Sequence, residues 1–415
     1  MAERPPRKVA FLLVPGFALM SFASAIEPLR AANHLSGKEL YRWFAVVPRG
    51  DMAEPSVGFP FQADATVGDT GAAHMVVVCA GGNPARFKDR QSLVWLRRQG
   101  RAGALMAGVS GGSYLLARAG LLNGRRCTIH WEHLGAFREE FPHLDIARTL
   151  FEIDRDRLTC AGGTAALDMM HAVIARDHGE DLAAAVHAWF LQSEVRGGSD
   201  RQGMRPEERW GARNAHLAAA LEVMEQDAES ILSMPDVAAA AGISVRQLGR
   251  LFRAQLGATF STHRQGLKLD RARRLLRQTS MPILAVAIAC GFQSASHFSR
   301  AYKKRFRESP SVSRRGGGTL PAAPGCPSLR NTESDMPDER VFRNIENLTR
   351  EEHELFAKQA AREATDADNA RLKDIQVMLD QCWDLLRQRR AKRDAGQNPD
   401  EATVRSSRTV EGYQG

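Results

Sequence analysis

Short apolar runs alternate with helical spacing over the first half of the chain. The runs are rich in Val, Leu, Ala and Phe, and they lie at 8–15, 41–49, 74–82 and 104–110, with shorter ones at 127–130 and 151–154. Helical spacing covers 22–35, 84–99, 112–122, 164–178 and 181–192. Continuous apolar runs are typical of strands buried on both faces of a parallel sheet. The pattern therefore predicts an α/β domain over residues 8–196.

Beyond residue 196, irregular segments alternate with helical ones. The irregular segments are rich in Gly, Pro or Arg and lack periodicity, which predicts linkers. The predicted organisation is a linker at 197–213, an all-α domain at 214–315, a flexible linker at 316–336, a helical hairpin at 337–396 and a frayed tail at 397–415.

The hairpin prediction depends on two apolar stripes at three-four spacing. A polar turn at Thr365–Asn369 is expected to separate them. The stripes consist of Val341, Ile345, Leu348 and Leu355, and of Leu372, Ile375, Leu379, Cys382 and Leu386. Such a seam closes the hairpin and can also serve dimerisation.

One short pattern occurs twice within the all-α domain. Each copy has a short apolar helix, a glycine suited to a left-handed turn (Gly242 or Gly291) and a serine suited to cap a second helix (Ser244 or Ser294). On the second helices Leu248, Leu251, Phe252, Phe298 and Tyr302 are expected to face inward, and basic residues outward. The repeat predicts two helix-turn-helix units, joined by a basic helix at 263–279, whose second helices enter the major groove of DNA.

The net charge of the chain is concentrated in this domain. The whole chain carries 57 Lys+Arg and 48 Asp+Glu, a formal charge of +9. Residues 214–315 carry 16 Lys+Arg and 7 Asp+Glu, also a surplus of nine, whereas residues 316–415 are net −3. A basic, structured domain is the electrostatic footprint of nucleic-acid binding.

The two units resemble the DNA-binding domain of the AraC/XylS family, most specifically in ACGFQSASHFSRAYKKRF at 289–306. The resemblance implies that Arg246, Arg250, Ala295, Ser296 and Arg300 approach base edges. Lys303, Lys304 and Arg305 are expected at phosphates, where they set affinity and salt dependence. The full set of expected DNA-binding residues is Ser244, Arg246, Gln247, Arg250, Arg253, Ser294, Ala295, Ser296, Arg300, Lys303 and Lys304. The family more often has Pro and Tyr where this chain has Phe260 and His263.

A strand, a tight glycine turn and a helix surround Ser110. Gly108, Ser110 and Gly112 form a G-x-S-x-G elbow, in which the central side chain stands beside backbone N–H groups. A hydrolase would need a base to activate this serine, and His130 is a candidate. Two functions remain open from these residues: an amidase- or hydratase-like enzyme that uses Ser110 and His130, or a pocket that binds a ligand without turnover.

Residues 8–192 resemble the PfpI-type branch of the class I glutamine amidotransferase-like fold, as it is found fused to AraC domains in GlxA-like regulators. FLLVPGF, VVVCAGG, GVSGGSYLLARAGLLNGRRCTIHWEH and TCAGGTAALDMMHAVIARDHG carry this resemblance. It implies a flavodoxin-like parallel sheet sandwich. Enzymes of this fold have Cys at the elbow where this chain has Ser110, and a serine is a poor nucleophile in a pocket suited to a thiolate. We therefore expect ligand binding without catalysis, and an inert packing role for Cys79.

Among these regulators, SFASAIEPLRAAN and the segment around DRQ-x-x-RPEER resemble most those of glycine-betaine, carnitine and arginine catabolism. The resemblance implies a small cationic or zwitterionic nitrogen compound as effector. A quaternary ammonium group binds aromatic faces beside a carboxylate, for which Phe17, Trp131 and Glu27 are candidates. The expected ligand-binding residues are Glu27, Gly81, Gly82, Ser110, Gly111, His130 and Trp131.

Each of the three ammonium candidates has an alternative interpretation. Ordinary core packing is the better prediction for Trp131 or Phe17 taken singly. Glu27 is instead expected to face the pocket, because a carboxylate on an otherwise apolar helix needs a partner.

The tail from residue 351 resembles a small bacterial helical family of unknown function, which is not a usual appendage of these regulators. Met336 is the last residue of the second linker and resembles a former start codon. We hypothesise a fusion of two neighbouring genes, with a partner-binding role for the tail as a further hypothesis.

Composition excludes several other classes. A hydrophobic share of 43% and a charged share of 25% exclude a disordered polyelectrolyte. No run approaches the roughly 18 apolar residues of a membrane helix, and six cysteines without a C-x-x-C pair indicate neither a disulfide framework nor a thiolate zinc site. We predict a cytoplasmic regulator without cofactor or metal, whose partners are double-stranded DNA, a small effector and a second copy of the chain. RNA polymerase is a further candidate partner.

Overall fold

The computed structural model describes residues 5–192, 194–203, 209–226, 232–292, 294–316, 337–360, 365–395 and 397–405. The chain divides into two compact units, residues 1–205 and 206–415. Among the described residues, no helix combines the length and the apolarity that crossing a membrane requires.

The first unit is built on a seven-stranded sheet. The strands of this unit are β1 Arg7–Leu13, β2 Tyr41–Val47, β3 Met52–Ala53, β4 Phe61–Gln62, β5 Ala65–Thr66, β6 Met75–Ala80, β7 Leu105–Ser110, β8 Arg126–Cys127, β9 Asp145–Ile146, β10 Phe151–Asp154 and β11 Arg157–Cys160. The main sheet has the order β10-β11-β7-β6-β1-β2-β5 and is parallel except for the β10–β11 hairpin. The predicted parallel sheet is confirmed. Strand β11 was missed because RLTC is short and half polar, and the strand predicted at 127–130 is shorter than expected.

Helices cover both faces of this sheet. They are α1 Leu19–Ser36, α2 Arg90–Arg101, α3 Gly112–Arg118, α4 Leu134–Glu140, α5 Ala165–His178 and α6 Glu180–Trp189. Residues of α1, α5 and α6 form one core with alternate strand residues such as Phe11, Val77 and Val109. Helix α3 lies so close to β6 that a Cβ on Gly112 would come within 2.0 Å of the Val78 carbonyl oxygen, so this position requires glycine. The arrangement confirms the flavodoxin-like α/β sandwich.

The chain remains attached to this unit beyond residue 196. Arg201 forms an antiparallel bridge with Thr149, and the Leu150 N–H donates to the Asp200 carbonyl at 2.8 Å. The predicted linker therefore begins with a packed segment, because these residues satisfy backbone groups of the loop before β10.

The described residues of the second unit include the helices of its helix-turn-helix part. They are α7 Ala215–Gln226, α8 Met234–Ala240, α9 Val245–Leu256, α10 Phe260–Gln278, α11 Ile283–Ala289, α12 Ala295–Phe306 and α13 Pro310–Gly316. Leu217, Leu221 and Val237 are fully buried in its first core, and Trp210 of the predicted linker packs against them. The linker predicted at 197–213 is thus packed at both ends, and its residues 204–208 lie outside the described residues.

Helices α14 Pro337–Ala360 and α15 Asp366–Asp394 form the helical tail. Arg371 of α15 pairs with Glu351 of α14 at 2.7 Å, and Lys358 with Asp368 at 3.2 Å, which makes the pair antiparallel. The buried seam consists of Ile345, Leu348, Leu355, Leu372, Ile375, Leu379, Trp383 and Leu386. It matches the predicted stripes with two exceptions: Val341 is only half-buried, and Trp383 replaces Cys382, which is also half-buried.

Two expectations for the tail are corrected. Thr365 caps α15 by accepting the Asp368 N–H, so the helix begins at Asp366 where a turn over Thr365–Asn369 was expected. Residues 397–405, expected to be frayed, pack back on α15: Lys392 pairs with Glu401 at 2.7 Å. Residues 317–336 and 406–415, which include Met336 and nearly all of the linker predicted at 316–336, lie outside the described residues.

Candidate DNA interface and sensor pocket

The first helix-turn-helix unit is shaped by two N-caps and a glycine turn. Ser233 and Ser244 begin α8 and α9 in capping boxes, in which the third helical residue, Asp236 or Gln247, accepts in return from the cap N–H. Between the helices Gly242 has a φ of 69°, the left-handed conformation that glycine adopts without strain. The predicted cap and turn are both confirmed.

The second helix-turn-helix unit repeats this design. Gly291 has the same φ of 69° as Gly242, and Ser294 caps α12 by accepting the His297 N–H at 3.3 Å. Lys268 of α10 donates from Nζ to the Gly291 carbonyl at 3.0 Å and so ties the turn to the connecting helix. Burial lowers the pKa of Lys268. Sequence reasoning missed this lysine, because one Lys on a basic helix carries no distinguishing signal.

The second helix of each unit buries the predicted apolar face. Leu248, Phe252 and Tyr302 are 0% exposed and Phe298 is 1% exposed, whereas Leu251 is only partly buried. The axis of each helix is therefore fixed by packing, which orients the opposite face toward solvent.

That opposite face carries the expected DNA-binding side chains. Arg246, Arg250, Arg253, Arg300, Lys303 and Lys304 are exposed. Over the part of the chain that the structure describes, none of these six forms an ion pair or a side-chain hydrogen bond, so their donors are available for guanine or phosphate. Ser296 is exposed and Ala295 half-buried, while Ser244, Gln247 and Ser294 are engaged in the helix caps.

Arg305 has a different role from the expected phosphate contact. Its guanidinium binds the Asp270 carboxylate through Nη2 at 2.7 Å and Nε at 3.1 Å. The bidentate pair fixes α12 against α10 and engages Nε and Nη2 of the guanidinium. Arg305 therefore helps to position α12, the second helix of the second helix-turn-helix unit.

His263 makes the helical domain sensitive to acid. Its ring packs on Trp210 and Phe252, with centroids 4.8 and 5.5 Å away, and this burial lowers its pKa. The folded state therefore favours the neutral ring, and the stability this gives is full above the unfolded pKa of about 6.5 and is lost as pH falls toward the lower folded value. We expect the thermal midpoint of this domain to fall more steeply below about pH 6.5 in the native chain than in His263→Tyr. His143→Gln, at an exposed position, is the control, and equal pH profiles for native chain and His263→Tyr would contradict the prediction.

Ser110 ends β7 at an elbow held in a strained conformation. Its φ is 57°, which non-glycine residues rarely adopt, and it is 7% exposed. A Cβ on Gly162 would lie 2.6 Å from Ser110 Cβ and 2.8 Å from Ser21 Oγ. The Gly163 N–H donates to the same Ser21 hydroxyl at 2.8 Å. The elbow, α1 and the turn before α5 therefore meet at one point, to which Ser21 belongs although sequence reasoning did not select it.

The hydrogen bonds that activate a serine are not assembled at this elbow. The Gly111 N–H, the expected oxyanion donor, donates to the Ala80 carbonyl at 3.0 Å. Among the described residues, no hydrogen bond joins the Ser110 hydroxyl to His130 or to another base. His130 Nδ1 instead accepts the Glu132 N–H at 3.3 Å, and burial lowers the pKa of His130.

Gly81 and Gly82, the glycines expected to hold a ligand carboxylate, directly follow Ala80, which pairs with Ser110 across β6 and β7. A Cβ on Gly81 would lie 2.7 Å from the Gly16 carbonyl oxygen, and Gly82 has a φ of 57°. Cys79 is 1% exposed in β6 and burial raises its pKa, which agrees with an inert packing role.

One expected ligand contact, that of Glu27, is corrected, and the core packing predicted for Phe17 is confirmed. Glu27 pairs with Arg30 at 2.7 Å, and both side chains are more than 40% exposed, so the partner that its carboxylate needs lies one helical turn away on α1. Phe17 is 0% exposed and packs edge-on against Phe22 at 5.5 Å, so its faces are not available to a ligand. Trp131, for which core packing was the better prediction, is 43% exposed.

An α/β domain with a strained serine elbow, followed by two helix-turn-helix units, defines a DNA-binding transcription regulator. Family models agree with this class: the DJ-1/PfpI family matches residues 7–176, a helix-turn-helix domain matches 237–316, and a family described as a protein of unknown function, DUF2630, matches 337–415.

Curated proteins give the more specific assignment. The HTH-type transcriptional regulator CdhR of Pseudomonas aeruginosa is 41% identical over 78% of this chain and 96% of its own length. The HTH-type transcriptional regulator GlxA of Rhizobium meliloti is 42% identical over 76% of this chain and 98% of its own length. The chain belongs to this family of DNA-binding, HTH-type transcriptional regulators. Its tail is 43% identical to 91% of an uncharacterized protein of Mycobacterium bovis.

Proposed function

We propose that the DJ-1/PfpI-type unit of this regulator binds a small betaine-, carnitine- or arginine-like effector and does not convert it. The observation that carries the proposal is the elbow: Ser110 is held at a φ of 57° while the Gly111 N–H is bound by the Ala80 carbonyl. Backbone strain persists where function maintains it, and here it presents a hydroxyl without assembling a nucleophile.

The class of effector is supported by the loop after β8. The exposed indole of Trp131 stands next in sequence to the exposed carboxylate of Glu132. An aromatic face beside a negative charge is the recognition chemistry of a quaternary ammonium or guanidinium group. The resemblance to regulators of glycine-betaine, carnitine and arginine catabolism points to the same compounds. Such an effector regulates transcription only if it binds two arrangements of the protein with different affinity.

A thermal-shift screen of the full chain with glycine betaine, carnitine, arginine and spermidine tests this function. One compound should raise the unfolding midpoint, with stabilisation that grows as the logarithm of its concentration and reaches about 2.7 kcal/mol at 100 times Kd. Trp131→Ala should lose the shift, whereas Trp189→Ala, at a tryptophan of similar exposure (46%), should keep it.

Steady-state assays against amides and aldehydes separate binding from catalysis. Neither the native chain nor Ser110→Ala should turn over these compounds. Turnover by the native chain that Ser110→Ala abolishes would establish the amidase- or hydratase-like alternative.

We further propose that the regulator acts in the cytoplasm as a homodimer and contacts RNA polymerase from its DNA-bound state. The tail is proposed to derive from a fused neighbouring gene, because its sequence accounts for most of a separate mycobacterial protein. A transcript or a mass measurement that reveals a separate protein starting at Met336 would overturn the fusion.

A further inference from the structure

The first unit ends in a segment, residues 196–203, that is tied to the core at two places; we name it the strap. At the first tie, Arg196 binds the buried carboxylate of Asp168 through Nε at 3.1 Å and Nη2 at 2.5 Å. Arg196 Nη2 also donates to Thr164 Oγ1 at 2.7 Å. Thr164 directly follows Gly162 and Gly163, the glycines that meet Ser110 and Ser21 at the elbow. One end of the strap is therefore bonded next to the glycine turn that meets the Ser110 elbow.

The second tie joins the strap to the loop that carries His130. Gln202 Nε2 lies 2.9 Å from Thr128 Oγ1, 2.9 Å from the Ile129 carbonyl and 2.7 Å from the Thr149 carbonyl. Ile129 directly precedes His130. The other end of the strap is therefore bonded to the loop that leads into His130, a second expected ligand-binding residue.

The tie at Gln202 is incomplete. Gln202 Oε1 is buried without a hydrogen-bond partner among the described residues. A buried polar atom without a partner costs free energy. Hydrogen bonds hold the strap in its docked position, but docking buries Gln202 Oε1 without a partner among the described residues. Undocking would expose that oxygen to water and relieve the cost. The docked and undocked arrangements are therefore expected to be close in free energy.

Chain connectivity gives the strap its position in the regulator. The strap ends at Gly203, and only residues 204–208 separate it from Arg209, the first described residue of the DNA-binding unit. A change at the elbow turn or at the His130 loop must therefore pass through the strap before it reaches that unit along the backbone.

We propose that the strap, through Arg196 and Gln202, reports occupancy of the sensor pocket to the DNA-binding unit. The inference rests on the proposed function, since it takes the Ser110 pocket as the effector site. A ligand that favours one arrangement of the elbow turn or of the His130 loop changes the strength of the two ties, and with it the fraction of molecules whose strap is docked.

A reversible lock on the strap tests the proposal. Thr149 and Arg201 are antiparallel partners, and bonds from the Gln202 N–H to the Arg148 carbonyl and from the Leu150 N–H to the Asp200 carbonyl flank them. They therefore form a non-hydrogen-bonded pair of the antiparallel bridge, in which the Cα atoms lie about 4.5 Å apart. A disulfide can span this separation. The lock is Thr149→Cys with Arg201→Cys, and Gln202→Ala is the loosened form. Gln91→Ala and oxidised native chain are the controls.

The measurement is the Kd for an operator duplex selected from random DNA with the full-length protein. Without effector, the operator Kd of the locked form and that of the loosened form should differ by about 5-fold or more, which is the lower end of typical coupling between distant sites. Reduction of the disulfide should return the Kd of the locked form to the native value. A merely structural strap would shift the unfolding midpoint and leave these Kd values equal, and that result would overturn the proposal.

A second arm adds glycine betaine, carnitine or arginine. The compound that shifts the midpoint of the native chain should also shift its operator Kd, and the oxidised lock should abolish that shift while the compound still binds. If no compound binds the native chain, the proposed effector class fails, while the strap is still judged by the effector-free Kd values. If a compound binds and the locked protein responds as the native chain does, the strap is not the reporter.

Discussion

Replacing Arg250 or Arg300 by alanine is expected to weaken operator binding by about 1–3 kcal/mol each, which is about 5- to 150-fold in Kd. Both side chains are exposed on the reading helices, and neither has an internal ion pair among the described residues. The loss should be specific: binding to random duplex should change less, because Arg donors that pair with guanine O6 and N7 distinguish the operator from other sequences. Fluorescence titrations with operator and random DNA at one salt concentration measure both values.

Lys303 and Lys304 provide the contrast within the same helix. Lys303→Ala or Lys304→Ala should weaken operator and random DNA equally and lower the slope of log K against log salt concentration by about one for each phosphate that is no longer bound. Arg101→Ala, which removes one exposed charge from α2, controls for net charge. Unchanged operator affinity in both Arg250→Ala and Arg300→Ala would show that the reading faces are wrongly assigned.

Phe298→Ala is expected to destabilise the second helix-turn-helix unit by about 3–5 kcal/mol. Phe298 is 1% exposed, and its ring packs edge-on against Phe292 at 5.0 Å and Tyr302 at 5.5 Å. Truncation leaves a cavity in a small core that has few atoms with which to refill it. Since domains are stable by only about 5–15 kcal/mol, the loss is a large fraction of the total.

Denaturant unfolding of the full chain measures this loss. Operator binding should weaken in parallel at temperatures where the second helix-turn-helix unit is partly unfolded. Phe298→Leu keeps most of the volume and should cost much less. Ser110→Ala, which lies in the α/β unit, should leave the unfolding transition of the helix-turn-helix domain unchanged. A Phe298→Ala transition that matches the native one would show that this ring does not hold α12 on its core.

The helix-turn-helix geometry was predictable because it is local. The left-handed turns at Gly242 and Gly291 and the caps at Ser244 and Ser294 depend on residues within a few positions of each other. The buried face of each reading helix follows from the 3.6-residue period in the same way. The outward orientation of Arg250 and Arg300 is therefore a consequence of sequence spacing alone.

The pocket was less predictable because its partners are distant in sequence. The elbow at Ser110 followed from its glycines, but the bond from the Gly111 N–H to the Ala80 carbonyl depends on how β6 and β7 pair. Glu27 was expected to face the pocket because a carboxylate on an apolar helix needs a partner. Arg30 on the same helix supplies that partner at the surface. Trp131 was expected in a core, and a loop carries it outward.

The sequence by itself determined the class of this protein: a parallel α/β domain with a serine elbow, two helix-turn-helix units that hold the positive charge, and a helical tail. Only the tertiary structure decided which charged and amide groups are bonded. Asp270 lies 35 residues from Arg305 and binds its guanidinium, and Gln202 lies 73 residues from Ile129 and binds its carbonyl. The physical reason is that secondary structure depends on neighbours along the chain, whereas the partner of a polar side chain depends on which elements packing brings together.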